Sequence, residues 1–330
     1  MTAGTSKDGV LAPALLVTLA SPSTWPLALA TFLLRGGIAI VALPILVLPT
    51  PVGIGNAIGP ALTAIAFGSF PTQIVVVLAA IVVVVLVWLV AGGWLAAFVE
   101  AEEVRIVVDD EEVALHESAA MARRSRPSSR RRIAGRILVA RLVAALPLAV
   151  VLAVASVRLV LVTYRELTAP IDVTTPILLR VLRASPEVVV AIVLAWTVAE
   201  IVGSLAARRI AQTDAGIGVA LRRVLAMWRR QPISTLVRFV VPTLVLLLVL
   251  ALAALAAAAT FDAVAGVLYG GPDPVGTVLA VAALVAVWAI GLLLTGVVCA
   301  WRAAVWTVAT VMPARDIRVV PEPPTGSLVH

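Results

Sequence analysis

From Gly36 to Val99 the chain carries no charged side chain, and the stretches Pro274 to Trp301 and Phe239 to Phe261 are equally bare. A helix rising about 1.5 Å per residue needs roughly 20 apolar residues to cross about 30 Å of hydrocarbon. Several such runs have no use in a water-soluble core. The charge is thin overall as well: 13% of the residues are charged and 62% hydrophobic, where a soluble domain carries about 25% charged residues. In lipid the backbone must satisfy its own hydrogen bonds, and apolar runs of this length do so as helices. The expectation is an all-α polytopic membrane helical bundle of about six transmembrane helices. The spans read Pro26–Leu48, Gln73–Phe98, Ile137–Val162, Val188–Ala207, Phe239–Thr260 and Val275–Ala300. Prolines and polar or charged clusters punctuate their ends. Trp301 and Trp306 sit where interfacial aromatics usually do.

Orientation follows from the basic residues between spans. Segment 100–136 holds eight arginines and segment 207–238 seven. With Lys7 and the basic residues of the C-terminal region, nineteen lie on one side against Arg165, Arg180 and Arg183 on the other. The positive-inside rule then puts both termini and both arginine-rich connections in the cytoplasm of a plasma-membrane, multi-pass protein. Segment 100–136 is read as a cytoplasmic charged connection and 313–330 as a tail. The connection begins acidic, with Glu100, Glu102, Glu103 and Asp109 to Glu112, and ends basic. Val104–Val108 suggests a short strand there, and Val113–Arg124 a helix. The apolar stretch Val10–Ala20 is short enough for a signal peptide, but Asp8 cancels the charge of Lys7, and an internal repeat accounts for it better.

The repeat is visible at a constant offset of 206 residues, which pairs Asp8 with Asp214, Ala14 with Ala220, Leu15 with Leu221, Leu19 with Leu225 and Pro26 with Pro232. A middle copy ends alike: Ala120 to Pro127 parallels Ala226 to Pro232. Three units of one kind result, at about 8–99, 110–207 and 214–312 within a single membrane domain of residues 1–330. Each unit is a cytoplasmic interfacial amphipathic helix followed by a hairpin of two spans. In the third unit Leu221, Val224, Leu225 and Trp228 share one face. Arg222, Arg223, Arg229 and Arg230 flank that face, where they can reach lipid phosphates. Arg123 and Arg124 hold the same position in the second unit.

Ala220 to Val240, with its Arg-Arg-x-Pro turn, resembles the helix-then-span units of bacterial multi-span membrane proteins of unknown function. Among these is the membrane domain joined in some proteins to a glycerophosphodiester phosphodiesterase. The resemblance covers the hairpin layout and no catalytic motif. The catalytic domain of that family is a separate soluble barrel, so the resemblance implies no phosphodiesterase activity.

Chemistry is sparse. One cysteine, Cys299, and two histidines, His116 and His330, leave no cysteine or histidine metal cluster. His116-Glu117 lacks a second histidine at Ala120. Gly270 to Pro274 is a turn without a phosphate-loop lysine. Adjacent acids at Asp109 to Glu112 do not converge on a metal. No cofactor, metal or catalytic residue is therefore expected, and the chain reads as non-enzymatic. The net charge of +7 fits contact with anionic lipid better than with nucleic acid. A second copy or another membrane protein are further candidate partners.

Ionisable groups inside spans are costly and are functional candidates by default. Arg35 and Glu200 lie at similar depth with opposite signs and are candidates to pair or to face one polar cavity; the alternative is that Arg35 snorkels and Glu200 is protonated or hydrated near the interface. Arg141 and Arg158, about one turn inside their span, are expected to snorkel. Gly36-Gly37, Gly92-Gly93 and Gly291 to Gly296 suit close helix packing. Pro44, Pro147 and Pro242 suit kinks. Two functions fit: a structural, lipid-interacting membrane protein, or a transporter or permease-like subunit with a polar site at Arg35 and Glu200.

Overall fold

The computed structural model describes residues 10–41, 64, 68, 72–115, 129–169, 175, 177–270 and 274–311. Nine α-helices lie among these residues, with no strand. They are α1 (Leu11–Ala20), α2 (Thr24–Phe32), α3 (Thr72–Leu115), α4 (Arg130–Thr168), α5 (Ile177–Ala184), α6 (Pro186–Thr213), α7 (Ile217–Arg230), α8 (Pro232–Gly270) and α9 (Pro274–Val311). A π-helical turn, Leu33–Gly37, extends α2, and helix resumes over 38–41. Among the described residues six helices are long and apolar enough to cross a membrane: Thr24–Val41, Val75–Val108, Arg130–Thr168, Pro186–Thr213, Pro232–Val267 and Pro274–Thr310. The chain is an all-α polytopic membrane protein.

The helices outrun the bilayer. α3 has 44 residues, about 66 Å at the α-helical rise, or roughly twice the hydrocarbon thickness. Its surplus forms a compact end. There α6 is buried on every side from Ile201 to Arg208, and α9 from Ala303 to Thr310. α6 packs on α3, α4 and α9, while α9 packs on α1, α2, α3, α6 and α8. The main core joins Ala97 of α3, Ile137 and Ala140 of α4, Ile201 and Leu205 of α6, and Trp306 of α9. A smaller one seats Val10 and Ala14 against Ala304, Val305 and Val308. Small side chains dominate both, because helices associating in lipid gain from close packing rather than from leaving water.

Two sequence expectations change here. Val104–Val108 is helical, and the acidic half of the presumed connection continues α3. Val104 and Val107 are buried with Glu100 and Glu103, a spacing of three and four residues that packs one helix face, so tertiary contact overrides the β preference of valine. Trp306 is buried in the main core rather than at an interface. Trp301 is partly buried, and its indole N–H donates to the Leu11 carbonyl at 3.1 Å. α4 and α8 continue through Pro147 and Pro242, whereas the break in α2 falls at a glycine. Pro44 and the remainder of 113–124 beyond Leu115 lie outside the described residues.

The interfacial helix α7 also turns out to be docked. Ala220 and Val224 are buried in the core shared with α4 and α6, and Leu221 and Trp228 pack against it. Leu225 and the four arginines remain exposed. α6 ends on Asp214 in the left-handed region (φ 50°). Asp tolerates that conformation better than most residues because its short side chain bonds locally. Arg136 of α4 clasps this corner, with Nη1 donating to Asp214 Oδ1 at 2.6 Å and to the Asp214 carbonyl at 3.0 Å. At the other end of the sequence, Ala14 and Thr18 of α1 are buried, as are Ala220 and Val224 at the 206-residue offset. α7 runs four residues, about one turn, longer than α1 before its span begins.

Candidate functional site

Glu100 organises the compact end. It is completely buried, yet it ion-pairs with three arginines from three helices: Arg35, Arg141 and Arg208. Arg141 engages it with both prongs, Nη2 to Oε1 at 2.6 Å and Nε to Oε2 at 3.0 Å. A forked guanidinium matches a carboxylate in this way, and a single-pointed lysine does not. Arg141 also lies 3.7 Å from Glu200, which in turn lies 3.1 Å from Arg302 and accepts a 3.0 Å hydrogen bond from Ser204. Arg208 reaches Glu103 at 3.9 Å. The guanidinium of Arg302 stands 5.5 Å from the Phe239 ring centroid, and Trp196 meets the same ring edge-on. Five helices thus contribute to one ionic network.

Two features of α2 and α3 aim Arg35 into this network. At Arg35 and Gly36 the backbone leaves helical geometry, and Gly36 takes φ +103°. Only glycine adopts that conformation without strain. One helix away, a Cβ on Gly92 would stand 3.1 Å from the Leu34 carbonyl. The absence of a side chain at Gly92 therefore lets α3 approach the turn that carries Arg35.

The network walls a cavity of about 290 Å³. Arg35, Arg141, Arg208 and Arg302 line it, together with Glu103 and Glu200. Counting Glu100 behind them, the cluster keeps one positive charge in excess. The cavity is also edged by Thr31, Trp306 and Cys299. Besides Arg302 Nη2, whose only partner is the Glu200 ion pair, four buried polar atoms of its lining residues have no hydrogen-bond partner among the described residues: the Thr31 hydroxyl, Arg208 Nε, Trp306 Nε1 and Glu103 Oε1. Three of these are donors. Buried donors without partners are costly. Among the described residues no group of three or more His, Cys, Asp or Glu side chains is arranged to hold a metal ion.

The sequence-predicted residues fall as follows. Arg35 and Glu200 line the same cavity but pair with other residues, Arg35 with Glu100 and Glu200 with Arg141 and Arg302. Of the two arrangements offered for them, the shared cavity forms and the direct pair does not, because each finds an opposite charge closer by. Arg141 does not snorkel. It turns inward, 15% exposed. Arg158 pairs with exposed Glu187 at 3.4 Å. Arg222, Arg223, Arg229 and Arg230 form an exposed array on α7. Arg123 and Arg124 lie outside the described residues.

Glu100, Glu103, Arg208 and Arg302 were not expected at a site. They were legible as charges flanking spans, and such charges ordinarily face headgroups. The available signal was periodicity: Glu100, Glu103, Val104 and Val107 repeat on one helical face, as do Ile201, Ser204, Leu205 and Arg208. Comparison of the chain with protein-family models, with curated proteins and with solved structures found no match.

Proposed function

We propose that this is a non-enzymatic, lipid-interacting protein of the plasma membrane that holds an anionic group in its intramembrane cavity. Both termini and the arginine-rich end face the cytoplasm in this reading. The carrying observation is the cavity itself: four arginines and an excess positive charge around about 290 Å³. That volume sits at the low end for small-molecule sites and suits a phosphate-sized headgroup or solute. The exposed arginines of α7 add a second attraction to anionic lipid, worth about 1 kcal/mol per basic residue near the surface. The three-unit repeat belongs to the same reading, supported by the matched burial of α1 and α7.

Cys299, the chain's only cysteine, lines the cavity and reports on it without mutation. The test is its reaction with a small membrane-impermeant thiosulfonate in oriented vesicles, with Cys299→Ala as background. The expected result is reaction from the cytoplasmic face, slowed by anionic phospholipid in the vesicle. A rate indifferent to lipid charge would overturn the reading.

A transporter or permease-like subunit is the second reading. The break in α2 beside Arg35 favours it, since transporter sites are built at interrupted helices. Reaction of Cys299 from the opposite face would bring this reading forward.

A further inference from the structure

A second, apolar cavity of about 90 Å³ adjoins the first. Ile40 and Val41, just past the break in α2, form one wall, and Leu250 and Ala254 of α8 with Trp288 and Leu292 of α9 form the rest. Thr295 also borders it, but its hydroxyl donates to the Gly291 carbonyl of its own helix at 2.7 Å. Ile40 belongs to both cavities and is 53% exposed. One half-exposed side chain therefore borders both.

Their order along the helices matters. On α9 the polar cavity lies at Cys299, Arg302 and Trp306, and the apolar one at Val287 to Thr295. From Arg302 to Trp288 is about 21 Å of helix rise toward the middle of the apolar span. On α2, Arg35 likewise precedes Ile40 in the direction of the hydrocarbon. Charged lining sits toward the arginine-rich end and apolar lining sits deeper. A phospholipid in one leaflet has the same sequence of parts: anionic headgroup at the interface, acyl chain inward.

We infer that the occupant is one anionic amphiphile, whose headgroup fills the arginine-lined cavity while an acyl chain leaves past Ile40 along the groove between α2, α8 and α9. This rests on the anion-binding reading and names its ligand class. A free anion would satisfy the same donors, but it has no use for the groove. The guanidinium groups of the lining arginines receive the headgroup oxygens. The groove takes only the first part of the chain, and the rest lies in the bilayer.

The experiment uses the full chain, delipidated in a neutral detergent, with thermal unfolding as the readout of binding. The probes are glycerol phosphate, dioctanoyl phosphatidylglycerol and dioctanoyl phosphatidylcholine. The phosphatidylglycerol should bind at least tenfold more tightly than either of the others. Ala254→Phe, which fills the groove, should erase its advantage over glycerol phosphate while leaving glycerol phosphate binding unchanged. Arg302→Gln should weaken both anions. If Ala254→Phe unfolds the chain, Val287→Phe serves on the other wall. Equal affinity for glycerol phosphate and phosphatidylglycerol would overturn the amphiphile and leave a free-anion site. Equal affinity for the two phospholipids would overturn the requirement for negative charge. Stabilisation by none of the three probes would remove the anion-binding reading itself.

Discussion

At the arginine-rich end, α6 and α9 are enclosed on all sides over eight residues each, whereas at the opposite end every described side chain of α3 from Val75 to Val90 is exposed. The same helices run through both regions, and the difference lies in what each end has to bury. The valine-rich end is surrounded by hydrocarbon, so its apolar side chains gain little by leaving lipid for protein. It can remain loosely associated at no cost. The arginine-rich end contains charges that would be expensive in hydrocarbon, and they are compatible with it only when paired and enclosed. The ionic network therefore decides how the helices are arranged, and the apolar end follows.

Among the ion pairs the sharpest contrast is between one buried cluster and one exposed pair, although Arg180 and Glu166 at the opposite end are only 14% and 12% exposed. Glu100 is inaccessible and shared by three arginines, while Arg158 and Glu187 at the opposite end are 54% and 59% exposed. A buried carboxylate that loses its charge leaves its partners stranded, whereas an exposed pair is replaced by water and headgroups. Glu100→Gln is accordingly the most damaging single change expected. It should cost about 3–5 kcal/mol, seen as loss of monodisperse protein on size exclusion in detergent and a large drop in melting temperature. A neutral result would mean that the compact end is held by apolar packing alone.

Arg136→Ala should come next. It removes the two hydrogen bonds on Asp214 and frees the corner between α6 and α7. Because both side chains are partly exposed (22% and 34%), screening holds the loss to about 1 kcal/mol. The clearer sign is faster amide hydrogen exchange in α7 than in α6. Gly36→Ala tests the break in α2. Placing a Cβ at φ +103° should cost about 1 kcal/mol, and it should change the reaction rate of Cys299 by displacing Arg35 from the cavity. Arg158→Gln should be the mildest, below about 1 kcal/mol with an unchanged Cys299 rate. A loss there comparable to that of Glu100→Gln would erase the distinction between the two ends.

Much of the architecture was already decided by composition. An uncharged run of span length admits essentially one solution in lipid, because a helix satisfies its backbone without partners. Six spans could therefore be read from Pro26–Leu48 through Val275–Ala300 with no knowledge of their neighbours, and each overlaps one of the six long apolar helices. The amphipathic pattern of α7 and the depth of Arg35 and Glu200 were likewise local properties. Which charges meet was not local. Span composition leaves the rotational phase of each helix undetermined, and the pairing of Glu100 with Arg35, Arg141 and Arg208 depends on the phases of four helices at once. Glu100 and Arg302, each at the end of an uncharged run, looked like ordinary flanking charges. Packing across small residues such as Gly92 turned them inward, since a charge held close to several opposite charges costs less than one facing hydrocarbon alone. Only the tertiary structure could convert a count of arginines into a cavity.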